Sequence, residues 1–381
     1  MSALSERVTR GERGAGRREV QGSEEDGIMR LSVIVPVYNM AAEGKLNTCM
    51  DSLVNQTIGD YEIIAVNDAS TDNSLEILRD YEQRYPQKVR VITYSENKRQ
   101  GGAKNEGLKA AVGQWIGFID SDDWVTSDYY EKLLKKAAET GADIVGCDYC
   151  LVREHIPPAE CMASPESFGK VVRNNGSDQT GRLDAEKHKR LFLRPGSMVI
   201  KIYKASVIRE NGLCFPEGIF YEDNCAGSVW SLYFSHFEKV EEPLYFYYQH
   251  ALSTVHSITE EKCRDRMKAM TILYEECRRR GFLEAYYQEL EYRFAELYYV
   301  VTLFSYMQGV KKPKLSFVRE LREGVEEKFP GFRENAYYRR YTGEEEQRLI
   351  ALQKQSDRKF YRQYRLKLWV RRMKKKLRRQ A

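Results

Sequence analysis

The chain is predicted to fold as a doubly wound α/β sheet followed by a helical region, on three observations. Between Leu31 and Cys147, short β-branched runs alternate with segments of helical periodicity. Polar and acidic clusters stand where those runs end. Beyond Ser257 apolar residues recur at three and four spacing. Repeated βα units build mostly parallel sheets flanked by helices, and such sheets bind ligands outside the carboxyl ends of their strands.

The elements follow in order. Leu31-Ser-Val-Ile-Val-Pro-Val37 is a continuous run of the kind buried on both faces of a parallel sheet. Leu46, Cys49, Met50, Leu53 and Val54 then fall at helical spacing. Tyr61–Val66 is the second strand, a helix runs through Leu75, Leu78 and Tyr81, and Val89–Tyr94 is the third strand. A Gly-rich helix start at Gly101 leads to the strand Trp115–Ile119, a helix over 127–140 and the strand Asp143–Cys147. Residues 151–194 are polar and weakly patterned, with Pro157-Pro158 and Asn174-Asn175-Gly176 marking loops. Glu260–Arg280, Leu283–Met307 and Pro313–Lys328 read as helices. The expected units are a disordered extension over 1–29, an α/β domain over 30–256, a helical domain over 257–345 and a basic amphipathic tail helix over 346–381. Met29, directly before the first strand, reads as the natural start.

Bulk properties narrow the partners. At 381 residues and 44.5 kDa the chain is too long for one small core. Its net charge of +5 is uneven: from Lys354 onward thirteen Lys or Arg face one acid, so the remainder is mildly acidic. A nucleic-acid binder would spread basic charge over a domain face, and no nucleic-acid module is present, so no nucleic-acid partner is expected. Eight scattered cysteines without a secretory signal favour reduced thiols and a cytoplasmic setting. Cys147 and Cys150 read as buried strand-end residues. No apolar run reaches membrane-spanning length.

Five segments carry the chemistry. The densest is Asp120-Ser121-Asp122-Asp123, directly after a strand. In extended backbone Asp120 and Asp122 point the same way, and carboxylates that close repel unless a cation or proton lies between them. Oxygen ligands at a strand end suit Mg²⁺ or Mn²⁺, while a solvated acidic turn is the bland alternative. The others are Val35-Pro36-Val37-Tyr38-Asn39, Asn67–Asp72, Asn97–Gly107 and Phe220-Tyr221-Glu222-Asp223-Asn224.

In the order and spacing of these segments the chain resembles the family 2 glycosyltransferases of GT-A fold over roughly residues 30–256. The resemblance implies transfer of a sugar from a nucleotide-diphospho-sugar donor, with Pro36, Tyr38, Asn39, Asp68 and Lys104 lining the nucleoside pocket. It makes Asp120 and Asp122 the metal-binding DxD pair and Asp223 the catalytic base of a Glu-Asp motif, with Glu222 as an acceptor contact or an orienting group. Lys104 stands where many relatives carry Arg, which keeps the charge but loses the planar fork. Asp120 reaches the ribose or a metal-bound water, with Asp122 the metal ligand, although either carboxylate can serve directly. Ser253-Thr254-Val255-His256 resembles the loop that closes over the donor diphosphate, His256 adding a metal or phosphate contact with His250 as its competitor. Lys201 matches a lysine on the acceptor side, or is a surface strand residue. Uridine as the base follows from the family and from Asp68.

The residues support the same chemistry on their own terms. Asp68 can accept a hydrogen bond from a base edge, because Asp72 and Ser74 are better placed to cap the next helix. Gly101 and Gly102 let backbone approach a phosphate or base closely. One general base without a covalent intermediate implies inversion at the anomeric carbon. In the tail, Leu366, Trp369, Val370, Met373 and Leu377 form a stripe among Arg and Lys, suited to an anionic membrane surface. A lipid-linked saccharide or wall polymer precursor as acceptor, reached at the inner face of the plasma membrane, would explain that tail. Two rivals remain: a catalytically silent binding module of the same fold, and a nucleotidyltransferase. The latter wants a Gly-rich basic loop near the first strand, which Asn39-Met-Ala-Ala-Glu43 is not.

Overall fold

The computed structural model describes residues 30–154, 169–249 and 258–380, with side chains to Lys374. The extension over 1–29, Pro157-Pro158, Cys161, His250 and the Ser253–His256 segment lie outside the described residues.

Three parallel strands open the sheet: β1 (Leu31–Val37), β2 (Tyr61–Asn67) and β3 (Val89–Thr93). β1 and β2 are apolar and buried almost throughout, because helices cover both faces, whereas β3 at the sheet edge buries only Val89 and Val91. β4 (Trp115–Phe118) pairs with the other edge of β1, so Ile34 lies between Ile64 and Phe118. The chain reverses its direction of travel across the sheet between β1 and β4. The crevice at their carboxyl ends is therefore the topological switch point.

The intervening helices follow the predicted periodicity. α1 (Lys45–Val54) buries Leu46, Cys49, Met50, Leu53 and Val54. α2 (Ser74–Arg84) buries Leu78 and Tyr81, and Asp72 Oδ1 accepts from the Ser74 amide at its start at 3.0 Å. α3 (Arg99–Ala110) and α4 (Tyr129–Thr140) complete the series.

The second half of the sheet departs from a purely parallel plan. After the two-residue β5 (Trp124–Val125) come β6 (Ile144–Val152), β7 (Lys170–Val172), β8 (Gly181–Arg182), β9 (Lys201–Lys204) and β10 (His236–Tyr248). The sheet order is β3-β2-β1-β4-β9-β6-β10-β5, with β7 on β6 and β8 on β10. β9 runs antiparallel to both β4 and β6, whereas β10 is parallel to β6. Cys147 and Cys150 are buried within β6. The weakly patterned stretch contains α5 (Ala185–Leu193), started by Asp184 accepting from the Lys187 amide at 2.9 Å. Only Leu191, Phe192 and Leu193 of α5 are buried, which is too little apolar periodicity to announce a helix. α6 (Ala205–Glu210) and α7 (Glu222–Trp230) follow.

The remainder is helical: α8 (Glu260–Arg279), α9 (Tyr287–Phe294), α10 (Thr302–Gly309), α11 (Leu315–Lys328), α12 (Ala336–Tyr341), α13 (Glu344–Gln355) and α14 (Asp357–Gln380). The helix expected over Leu283–Met307 starts at Tyr287 and passes through a π-helical stretch, Ala295–Val301. The tail is two helices broken at Ser356, not one. Its beginning belongs to the helical core: Phe360 and Tyr364 are buried against Phe304, and Asp357 accepts from Arg322 Nε at 3.0 Å. Further along α14 the apolar stripe is bare, with Leu366 61%, Trp369 59% and Met373 41% exposed. Among the described residues no helix is long and apolar enough to cross a membrane.

Candidate active site

The site is assembled where β1, β2 and β4 end. Among the described residues, four of the five non-glycine residues with positive φ stand at its rim: Asn39 (53°), Ala69 (57°), Arg99 (63°) and Tyr221 (66°). Such conformations cost free energy in L-residues and cluster at functional sites. Asn39 follows β1, and its Oδ1 accepts from the Thr71 amide at 2.8 Å, so its side chain ties two strand ends together. Tyr38 is 46% exposed beside it, while Pro36 is buried within β1.

Asp68 follows β2, held by its amide donating to the Val37 carbonyl at 2.8 Å. Its Oδ1 accepts from the Tyr94 hydroxyl at 2.8 Å and the Lys98 amide at 2.7 Å. Burial raises its pKa despite those bonds. Helix capping falls to Asp72, as the local sequence indicates.

The acidic run is a turn, not an extended strand end as the alternation argument assumed. The Asp123 amide donates to the Asp120 carbonyl at 3.0 Å, and the fold-back brings Asp120 and Asp122 onto one loop. Asp120 accepts from the Gln100 amide group. Burial pushes its pKa up to about 7; Lys104 opposes this, and Asp122, Glu222 and Asp223 add to it. Asp123 is fully buried, accepting from the Tyr245 hydroxyl at 2.6 Å and the Tyr248 amide at 2.8 Å. It anchors the acidic turn to β10, a role that sequence reasoning missed. The signal available was the aromatic run Tyr245–Tyr248 opposite Trp124, whose ring stacks on Phe246 at 5.7 Å.

Across the crevice, α7 begins with Glu222 and Asp223. Lys104 is buried and paired with Glu222 at 2.9 Å, both side chains at most 5% exposed. It stands close enough to Asp120 and Asp223 to feel their charge. Burial works against its charge, but Glu222, Asp120 and Asp223 together hold the ammonium protonated. Asp223 opens to solvent. The protein wall around it and the Glu222 charge raise its pKa, while Lys104 and Arg293 oppose them. Water reaching the exposed carboxylate tempers that rise.

Two further expectations change. A Cβ on Gly101 would overlap the Pro216 carbonyl oxygen and lie 3.3 Å from Glu222 Cβ. One on Gly102 would collide with Lys98. These glycines make room for protein backbone and a side chain. Lys201 is neither on a surface nor at an open acceptor wall: it is 4% exposed, its ammonium on the Pro195 carbonyl and 5.2 Å from the Phe237 ring. Burial pushes its pKa down to about 7. No group of three or more metal-ligating side chains occurs among the described residues; Asp120 and Asp122 stand together on one loop at this face. Their chemistry fits Mg²⁺ or Mn²⁺ completed by ligand oxygens. His256, the third metal residue expected from the resemblance, lies outside the described residues.

Comparison with known proteins agrees with this architecture. Residues 32–159 match the family described as glycosyl transferase family 2. The chain is 33% identical over 237 residues to the uncharacterized glycosyltransferase YibD of Escherichia coli, covering 59% of this chain and 62% of that one. It is 32% identical over 198 residues to the poly(ribitol-phosphate) beta-glucosyltransferase of Bacillus spizizenii, covering 50% of this chain and 27% of that one. The curated relatives are thus spanned only in part, from 27% to 62% of their length in these two cases. The crystal structure of S. aureus TarS 1-349 in complex with UDP-GlcNAc shares the fold at a TM-score of 0.58 and 19% identity, over 84% of this chain and 90% of that one. Residues 32–159 thus form a glycosyl transferase family 2 domain, and they hold the strand ends at the sheet's switch point where the acidic turn stands.

Proposed function

We propose that this chain is a metal-dependent, inverting glycosyltransferase that moves a sugar from a uridine diphosphate donor to a hydroxyl of a wall-polymer type acceptor. The observation that carries the proposal is the crevice itself: an acidic turn at the end of β4 faces a Glu-Asp pair across a buried lysine. The relative named for poly(ribitol-phosphate) glucosylation and another named for minor teichoic acid biosynthesis support a polyol-phosphate or similar envelope glycan acceptor.

In this reading Asp68 binds the base. The Tyr94 hydroxyl and the Lys98 amide both bond its Oδ1 and the Arg99 amide stands close, and the carboxylate accepts the N–H of a pyrimidine edge with its remaining lone pairs. Asp122, with Asp120, holds Mn²⁺ or Mg²⁺, which when bound offsets charge growing on the departing diphosphate. Asp223 takes the proton of the acceptor hydroxyl as that oxygen bonds to the anomeric carbon. The bond from that carbon to the diphosphate oxygen breaks on the opposite face, which inverts the configuration. Glu222, fixed by Lys104, orients Asp223 rather than contacting the acceptor.

The exposed stripe of Leu366, Trp369, Val370 and Met373, flanked by Arg365, Lys367, Arg371 and Arg372, lies on an anionic membrane surface and brings the site to a lipid-linked acceptor at the cytoplasmic face. Flotation with anionic and neutral liposomes tests this: association with anionic vesicles is expected, and none with either refutes it.

The deciding experiment is calorimetric titration of UDP, GDP and CDP with Mn²⁺ and with EDTA, repeated for Asp122→Ala and Asp223→Asn. Metal-dependent binding of UDP is expected, lost in the first variant and kept in the second, which has no turnover. A folded protein that binds none of the three is the silent binding module instead.

A further inference from the structure

We infer that the helical region takes part in catalysis, with Asp265 and Arg266 of α8 acting as positioning residues for Asp223; this rests on the reading of Asp223 as the base. The link is the turn Phe220–Tyr221 that precedes α7. Tyr221 caps α7 in a left-handed conformation, φ 66° and ψ 32°, which an L-residue with a ring adopts only when held there. From that bend the chain sends Glu222 inward to Lys104 and leaves Asp223 facing the crevice.

What holds the bend comes largely from α8. The Phe220 amide donates to Asp265 Oδ2 at 3.1 Å. The Arg266 guanidinium lies 4.2 Å from the centre of the Tyr221 ring. Arg266 is 7% exposed, and its Nη1 has no acceptor among the described residues. It contributes a planar cationic face to the tyrosine rather than a full set of hydrogen bonds. The Phe220 ring is covered by Arg99 at 4.0 Å and Lys262 at 5.3 Å, and Arg99 also pairs with Glu261 at 2.7 Å. On the donor side, the Gly218 amide donates to the Lys98 carbonyl at 3.1 Å. The turn is thus pinned between the start of α3, which carries Gln100 to Asp120, and the first turns of α8.

The alternative is that these contacts merely glue two parts of the fold together. The two cases differ in what relief of the left-handed constraint does. In the positioning case, removing the Asp265 acceptor lets Tyr221 relax toward ordinary backbone and misdirects Asp223, whereas a glycine at 221 accepts the same φ unaided.

The test uses the full chain and two readouts. Amide hydrogen exchange of peptides covering 218–224 reports the turn whether or not the protein turns over. kcat and the Kd for UDP with Mn²⁺ report the consequence. Asp265→Ala is expected to speed exchange in that segment and lower kcat roughly 5- to 30-fold, the weight of one left-handed residue, with the Kd unchanged within about twofold. Asp265→Asn, which keeps an acceptor oxygen, retains wild-type exchange and kcat. In a Tyr221→Gly background, Asp265→Ala costs less than about threefold. Unchanged exchange in Asp265→Ala overturns the clamp. So does an equal kcat loss in both backgrounds, which marks plain destabilisation. A wild-type chain that binds no nucleoside diphosphate refutes the base assignment instead, and with it the catalytic role of α8, whatever the exchange data show.

Discussion

Replacing Lys201 by Met should make the protein more stable, and increasingly so as the pH falls toward neutral. The lysine lies in β9, covered on both faces, with its ammonium on one carbonyl and one ring and no carboxylate partner among the described residues. Burial lowers its pKa from 10.5 to about 7. That displacement corresponds to about 5 kcal/mol of unfavourable charging in the folded state, at 1.4 kcal/mol per unit. The sign follows from linkage. Between pH 7 and 10.5 the unfolded chain holds a proton that the folded chain has released, so wild-type stability from this group rises with pH across that window. Below pH 7 both states are charged and the full cost remains. Methionine has similar volume and no charge, but it forfeits the bond to Pro195, worth about 2 kcal/mol for a charged donor. The net gain for Lys201→Met is therefore about 3 kcal/mol near pH 6.5, vanishing and reversing by about pH 10. Urea denaturation of both proteins from pH 6.5 to 10 measures this difference, in which the buried tyrosines and cysteines that titrate at high pH cancel. A variant less stable than wild type at pH 6.5, with parallel pH dependence, would refute the idea that this charge is unpaid by the fold.

Other perturbations test the crevice. Glu222→Gln leaves Lys104 buried without its anion and should cost about 3–5 kcal/mol in urea denaturation, part of it recovered in the double variant with Lys104→Met. Gly101→Ala forces a methyl into the Pro216 carbonyl, a backbone atom that cannot swing aside, so a loss of about 1–3 kcal/mol and a fall in turnover are expected together. Asp123→Ala strands the Tyr245 hydroxyl and the Tyr248 amide, and thermal unfolding should show a cost of about 2–4 kcal/mol.

The parts of this fold legible in the sequence are those governed by local periodicity. β1, β2 and α1 carry nearly unbroken or 3.6-spaced apolar residues, and the structure buries those same residues. Asp72 was legible as a cap because capping is decided within three residues. What escaped depends on partners far along the chain. Lys201 and Tyr203 share one face of β9, and only the placement of β9 between β4 and β6 makes that face interior. Lys104 meets a carboxylate 118 residues later, and Asp123 a hydroxyl 122 residues later. Spacing picks out the acidic turn and the Glu-Asp pair, but not which of their members are exposed and which are buried.

The charge balance of the crevice bears on how a donor enters it. Lys104 is paired with Glu222, and the charges of Asp122, Glu222 and Asp223 all raise the Asp120 pKa, so the carboxylates of this region act on one another. A diphosphate arriving there meets like charge, at roughly 2–3 kcal/mol per pair for ~6 Å separation and an effective dielectric of ~20. Three such pairs amount to about 8 kcal/mol, the whole of a micromolar affinity. A divalent cation that accompanies the diphosphate reverses the sign of the encounter, whereas a nucleoside without phosphates never meets the repulsion. Uridine should therefore bind weakly and equally well in Mn²⁺ and in EDTA, while UDP should bind more tightly than uridine with Mn²⁺ and no more tightly, or less, without it. Titration calorimetry of the two ligands in the two buffers separates the contributions. UDP binding of equal strength in EDTA would mean that cationic groups of the protein carry the diphosphate, and that the acidic turn serves the fold rather than the donor.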